Sequence, residues 1–78
     1  MYRGMITDET DFDEYKETGT YYINNAISDL PVNYGGLIVF NCAVLIVQIC
    51  CNLKSNNYYI RNNWNNEIWT NWAKIQTI

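Results

Sequence analysis

The longest apolar run of the chain, Gly35–Cys51, carries no charged residue, and past its opening glycines only Asn41 and Gln48 interrupt it with polar side chains. Two readings compete for it. A membrane helix needs about 20 apolar residues, with about 17 as a lower limit, and the run reaches that limit only with both amides inside the bilayer. Its Val and Ile content, its opening glycine pair and the lack of a flanking basic cluster (Lys54 stands alone) favour a buried β-hairpin. In that hairpin Leu37–Phe40 runs up, Asn41-Cys42-Ala43 turns and Val44–Cys51 returns. Alternation then puts Leu45, Val47 and Ile49 on one face and Val44, Ile46, Gln48 and Cys50 on the other. Both faces are apolar. A small sheet has one core face, so the second must find cover, and a subunit partner is one such cover. Gln48 lies between Ile46 and Cys50 on its face. It is expected inside and hydrogen-bonded, because an unpaired buried amide costs about 1–3 kcal/mol.

The flanking segments read more simply. Met1–Thr7 is short and mixed, with Ile6 as its core candidate. Asp8–Gly19 predicts one short helix: Thr10 or Asp11 can cap it, acids fill its first turn, and Gly19 stands where it should stop. Phe12 and Tyr15, three apart, share a face that can dock on the sheet. Thr20–Ile23 predicts a strand. Ala26–Asn33 predicts a loop, since Pro31 bars a central strand, and Leu30 is expected to plug the core from it. Tyr58–Arg61 predicts the next strand, with Tyr58 and Ile60 opposite Tyr59 and Arg61. Asn62–Glu67 reads as a polar loop carrying Trp64. Ile68–Ile75 predicts the last strand, with Ile68, Thr70, Trp72 and Lys74 opposite Trp69, Asn71, Ala73 and Ile75. The fold class expected is therefore mainly β: a small antiparallel sheet or sandwich of about five strands with one short N-terminal helix, as a single domain over 1–78.

Size sharpens one point. In a chain of 78 residues the entropy of ordering nearly cancels the apolar area that can be buried, so a staple is needed. The three cysteines do not supply it. Their number is odd, Cys50 and Cys51 point to opposite faces of a strand, and no signal peptide is read at Met1, so an oxidising compartment is not indicated. Free thiols and no metal are expected. With no histidine in the chain, a zinc site lacks its usual ligands. Oligomerisation is the staple that remains. The net charge of −3 argues against nucleic acid as a partner. Its acids concentrate in Asp8–Glu17.

Catalysis finds no foothold. The commonest general base, histidine, is absent, no Ser or Cys sits in a nucleophile motif, and Gly35-Gly36 lacks the helix and Lys of a phosphate loop. No cofactor is expected. Seven Tyr and three Trp are the informative excess, because such flat amphipathic side chains grip sugars and protein surfaces. Trp69, Trp72 and Tyr21 or Tyr22 are read as packing. Trp64 is read both ways, as a contact residue in an asparagine-rich loop or as a ring folded back over Tyr58 or the hairpin edge. The candidate ligand-binding residues are Asn63, Trp64, Asn65, Asn66 and Glu67.

An ordered series of short motifs also stands out. Gly4-x-Ile6, the acidic segment with Phe12, Gly19-Thr20-Tyr21-Tyr22-Ile23 and Leu30-Pro31 come first. Gly36-Leu37-Ile38-Val39, Val47-Gln48-Ile49, Tyr59-Ile60-Arg61 and Trp69-Thr70-Asn71-Trp72-Ala73-Lys74-Ile75 follow. From about Arg3 to Ile75 this series resembles the pyocin knob, or phage tail-fibre knob, module. The resemblance implies a non-catalytic module of a phage or prophage tail-fibre or baseplate receptor-binding protein, located at the virion tail tip. It implies a homotrimer that attaches to a host cell-surface glycan, teichoic acid or polysaccharide, with no membrane partner. Tyr59, Arg61, Trp69 and Trp72 match family positions that look structural. The chain departs from the family's pattern in its short turn at Asn41-Cys42-Ala43 and in beginning at Met1 with no fibre shaft before it. A purely structural trimerisation or spacer module of the fibre is the alternative, and a small single-span membrane protein is a third reading.

Overall fold

A computed structural model of the chain describes residues 1–8, 11–25 and 31–75. It is mainly β. Six strands, β1 (Tyr2–Ile6), β2 (Gly19–Asn24), β3 (Tyr34–Cys42), β4 (Leu45–Asn52), β5 (Tyr58–Trp64) and β6 (Ala73–Ile75), form one sheet in chain order. β2 to β6 make an antiparallel meander, and β1 adds to its edge in parallel with β2. β1 is a strand beyond the five expected. The run Gly35–Cys51 is the central hairpin, with its turn at Ala43-Val44 and Cys42 opposite Leu45. The turn is one residue later than Asn41-Cys42-Ala43 because Asn41 and Cys42 still pair. Ala43 takes the left-handed conformation, φ 63°, and the Asn41 side-chain oxygen accepts its N–H at 2.9 Å. Among the described residues no helix is long and apolar enough to cross a membrane.

Parallel strands need a crossover of about a dozen residues, and the segment between Ile6 and Gly19 provides it. The helix expected there is absent from its described residues. Tyr15 N–H donates to the Phe12 carbonyl at 3.2 Å, which closes a single turn. Asp11 caps Asp13 N–H at 3.0 Å, yet no helix follows. The carbonyls that would continue it bond to side chains from elsewhere: those of Phe12 and Tyr15 to Gln48, that of Lys16 to Asn41 and that of Thr18 to Arg3. Gly19 opens β2 instead of ending a helix.

The core lies between one face of the sheet and this crossover. Ile6, Ile23, Leu37, Val39, Ile46 and Cys50 point inward and meet Phe12 and Val32, all buried. Trp69 and Trp72 close the far side. The last strand is shorter than Ile68–Ile75, because Trp69 makes only an isolated bridge to Asn63 and regular pairing starts at Ala73. Strict alternation would set the two tryptophans on opposite faces, whereas both flank the inward-pointing Arg61. Leu30, expected in the core, lies outside the described residues. Gly35 is needed for contact, since a Cβ there would run into the Cys51 carbonyl oxygen.

Among the described residues the opposite face has no such cover. Its cross-strand rows are Cys42–Leu45–Trp64, Phe40–Val47–Asn62, Thr20–Ile38–Ile49–Ile60–Ala73 and Met5–Tyr22–Gly36–Cys51–Tyr58–Ile75, with the pair Asn24–Tyr34 beyond the last. No charged side chain occurs in them. Met5, Tyr22, Phe40, Tyr58, Trp64 and Ile75 are exposed, and Ile38, Leu45, Val47, Ile49 and Ile60 are half-buried by their neighbours alone.

Candidate functional site

Two sets of residues matter, one holding the covered face together and one standing open at an end of the sheet. The first centres on Gln48, 0% exposed. Its amide nitrogen donates to the Phe12 and Tyr15 carbonyls at 2.7 and 2.8 Å, and its oxygen accepts the Arg61 Nε–H at 2.8 Å. The expectation that Gln48 is inside and bonded therefore holds. A strand side chain supplies what a helix would have supplied to the crossover backbone. Arg61 lies between Trp69 and Trp72, its guanidinium carbon 4.1 and 4.6 Å from their ring centres. It also pairs with half-exposed Asp13 at 3.0 Å. Burial pulls the Arg61 guanidinium below its ordinary value, and the hydrogen bond and charge of Asp13 oppose that shift. Phe12 packs edge-on against Trp72 and Tyr15, and Tyr15 against Tyr21. Each donor of Gln48 is satisfied and the cation faces two π-systems and an anion. This arrangement locks the crossover to the sheet.

The second set contains the candidate contact residues, and the structure splits them. The sheet continues through Trp64, so Asn63 and Trp64 belong to β5 and not to a loop. Asn63 points inward and is 3% exposed. Its Oδ1 has no hydrogen-bond partner among the described residues. Trp64 points to the open face beside Leu45 and is 61% exposed. It does not fold back over the core. Asn65 and Asn66 form the turn after it, both left-handed at φ 58° and 56°, a conformation asparagine tolerates better than most residues. Asn65 N–H bonds the Val44 carbonyl, and Glu67 N–H bonds the Trp64 carbonyl at 3.3 Å. Asn66 Oδ1 accepts from Lys16 Nζ at 2.9 Å. The hairpin turn, the end of the crossover and the β5 turn thus meet at one end of the sheet, around an exposed indole.

Phe40 and Val44, both exposed at this end, were read only as strand residues of the hairpin, and Val44 stands in the turn because β4 begins at Leu45. Alternation from Ile38 was the available signal for Phe40. At the opposite end Asn25, Asn33, Tyr34, Asn52, Leu53 and Lys54 line an open cavity of about 550 Å3.

The thiols offer little chemistry. All three are free: Cys42 is exposed, Cys51 is half-buried and Cys50 is buried. Burial pushes the Cys50 thiol from an ordinary 9.0 up to about 12, which keeps it protonated and unreactive. Among the described residues no group of three or more His, Cys, Asp or Glu is placed to hold a metal.

Fold and site together define a single-sheet β module with one locked face and one open face. Comparison with protein-family models, with curated proteins and with solved structures finds no match for the chain.

Proposed function

We propose that this chain is a non-catalytic attachment module of a phage or prophage tail-fibre or baseplate receptor-binding protein. The observation that carries the reading is the exposed Trp64 indole at the end of β5, next to an asparagine turn. Apolar area left in water forgoes roughly 25 cal/mol per Å2 of burial, and a sugar ring stacked on the indole recovers part of it. The Asn65 side-chain amide, which has no partner among the described residues, can bond ring hydroxyls beside it. The contact set of this proposal is Trp64, Asn65, Asn66 and Glu67. Asn63 leaves it because it is buried. The ordered knob-like motifs support the tail-fibre setting, and with it a homotrimer at the virion tail tip and a host surface glycan, teichoic acid or polysaccharide, as partner. The absent histidine and the protonated, buried Cys50 support a module without catalysis.

A purely structural fibre module is the second reading, favoured by the charge-free open face. Binding to a panel of bacterial wall polysaccharides and teichoic acids separates the two. The attachment reading expects wild-type binding to at least one member, lost at least tenfold in Trp64→Ala with the thermal midpoint held within about 2 °C, as for a surface substitution. No binding by the wild type, or equal binding by the variant, overturns it. A midpoint that falls by about 4 °C or more assigns Trp64 to packing.

A further inference from the structure

We infer that the open face of the sheet is an interface for another copy of this same chain, packed sheet against sheet. The inference stands on the face itself and needs no receptor.

The first support is composition. In the four rows of the open face, from Cys42–Leu45–Trp64 to the row ending at Ile75, there is no charged residue. Row three stacks Ile38, Ile49 and Ile60 side by side, three branched aliphatic side chains of the kind that fill the buried face. Soluble monomers rarely leave a patch of that extent in water.

The second support is where the charge lies. Asp8, Asp11, Asp13, Glu14 and Glu17 all belong to the crossover, and this segment packs on the other face through Phe12 and Gln48. A chain of net charge −3 meets a copy of itself through its open face with both acidic layers turned outward, a full sheet thickness from the contact. Stacked sheets sit about 10 Å apart, so the acids of the two copies lie beyond the Debye length of about 8 Å at physiological salt. An acidic or basic partner would find nothing to pair with on this face, whereas an identical apolar face matches it.

The third support is area. Strands about 4.8 Å apart and about seven residues long give the open face a plan area of roughly 500–650 Å2, and side-chain relief adds to it. Two such faces together bury more than about 1,000 Å2, the size at which an interface is specific and not incidental. The same burial supplies the staple that a chain of 78 residues requires.

The test is the mass in solution by sedimentation equilibrium, from about 1 µM to 1 mM, the range over which weak to moderate interfaces fill. The wild type is expected as a pair of copies, or as the homotrimer of the tail-fibre reading with its three open faces turned inward, and the assembled share rises with concentration. Ile49→Glu, at the centre of the face, is expected to be monomeric at concentrations at least 100-fold higher, with an unchanged far-ultraviolet spectrum and unchanged fluorescence from the Trp69–Arg61–Trp72 stack. Because Glu on a strand could also loosen the fold, Val47→Lys is measured alongside, and it should separate the copies in the same way. A wild-type chain that stays monomeric throughout overturns the inference and gives the face to a different chain. So does an oligomer that survives both substitutions in folded protein. Trp64 stands in the end row of this same face, beside Leu45, so glycan binding is measured on the separated Ile49→Glu chain, where its loss counts against the glycan reading alone and leaves the interface standing.

Discussion

Ile46, Gln48 and Cys50 on one side of β4 and Leu45, Val47 and Ile49 on the other differ little in apolar content, and the polar residue is on the better-buried side. Hydropathy therefore does not decide which face becomes the core. Gln48 does, because it offers three hydrogen bonds to a crossover and to Arg61 that an aliphatic side chain could not make. The inward face is covered by a segment tied down through polar atoms. The outward face offers only scattered polar groups such as Thr20, Asn24 and Asn62, and among the described residues no segment of the chain packs over it. A small sheet can thus stay two-faced, with polar specificity on the side that folds and apolar area on the side available for assembly.

The sharpest way to break this contrast is to unlock the covered face. Arg61→Met leaves the Gln48 oxygen and Asp13 without their cation and opens the gap between the tryptophans. Removing one member of a buried pair costs about 3–5 kcal/mol, and the half-exposed Asp13 places the expected loss near the lower end. Urea unfolding reads it, and a loss under about 1 kcal/mol would show that the lock is not what holds the crossover. Gln48→Leu should cost about 1–3 kcal/mol. The double variant should cost clearly less than the two together, since both belong to one network.

A smaller effect comes from pH. The Cys50 thiol is raised from 9.0 to about 12, so the folded state favours its neutral form. Its contribution to stability is complete below about pH 9 and is lost as pH climbs toward 12, where the thiol ionises more readily in the unfolded chain. The thermal midpoint of the wild type should therefore fall more steeply between pH 9 and 11 than that of Cys50→Val. Parallel slopes for the two proteins would remove Cys50 from the account.

What could be read in the sequence follows the reach of the interactions. The hairpin, the facing of β4 and the burial of Gln48 were legible because a period of two over a long apolar run records them, alternation also gave the facing of β5, and Ile6 and Phe12 stood out as apolar side chains in mixed or acidic segments. The crossover was not. Its acids and caps spell a helix locally, but Gln48 and Asn41, far along the chain, take the carbonyls that a helix would use. Trp69 and Trp72 were legible as packing. Their shared side was not, since it is fixed by Arg61 and not by alternation. The end of β5 was hidden for a third reason: Asn62 and Asn63 are poor strand formers, yet pairing with Val47 and Ile46 carries the strand through them to Trp64. The candidate site was half legible, with its aromatic in view and its geometry missed.

Cys50 and Cys51 are neighbours in the chain on opposite faces of one strand, so their relative reactivity tests the central claim most directly. In the Ile49→Glu chain, held apart from its copies, brief labelling with a small thiol reagent at pH 8 followed by tandem mass spectrometry should find Cys42 modified first. Cys51 should come next, and Cys50 should react only at the rate of unfolding. If Cys51 is protected as fully as Cys50 in separated chains, the outer face is covered by the chain itself and the two-faced sheet is wrong.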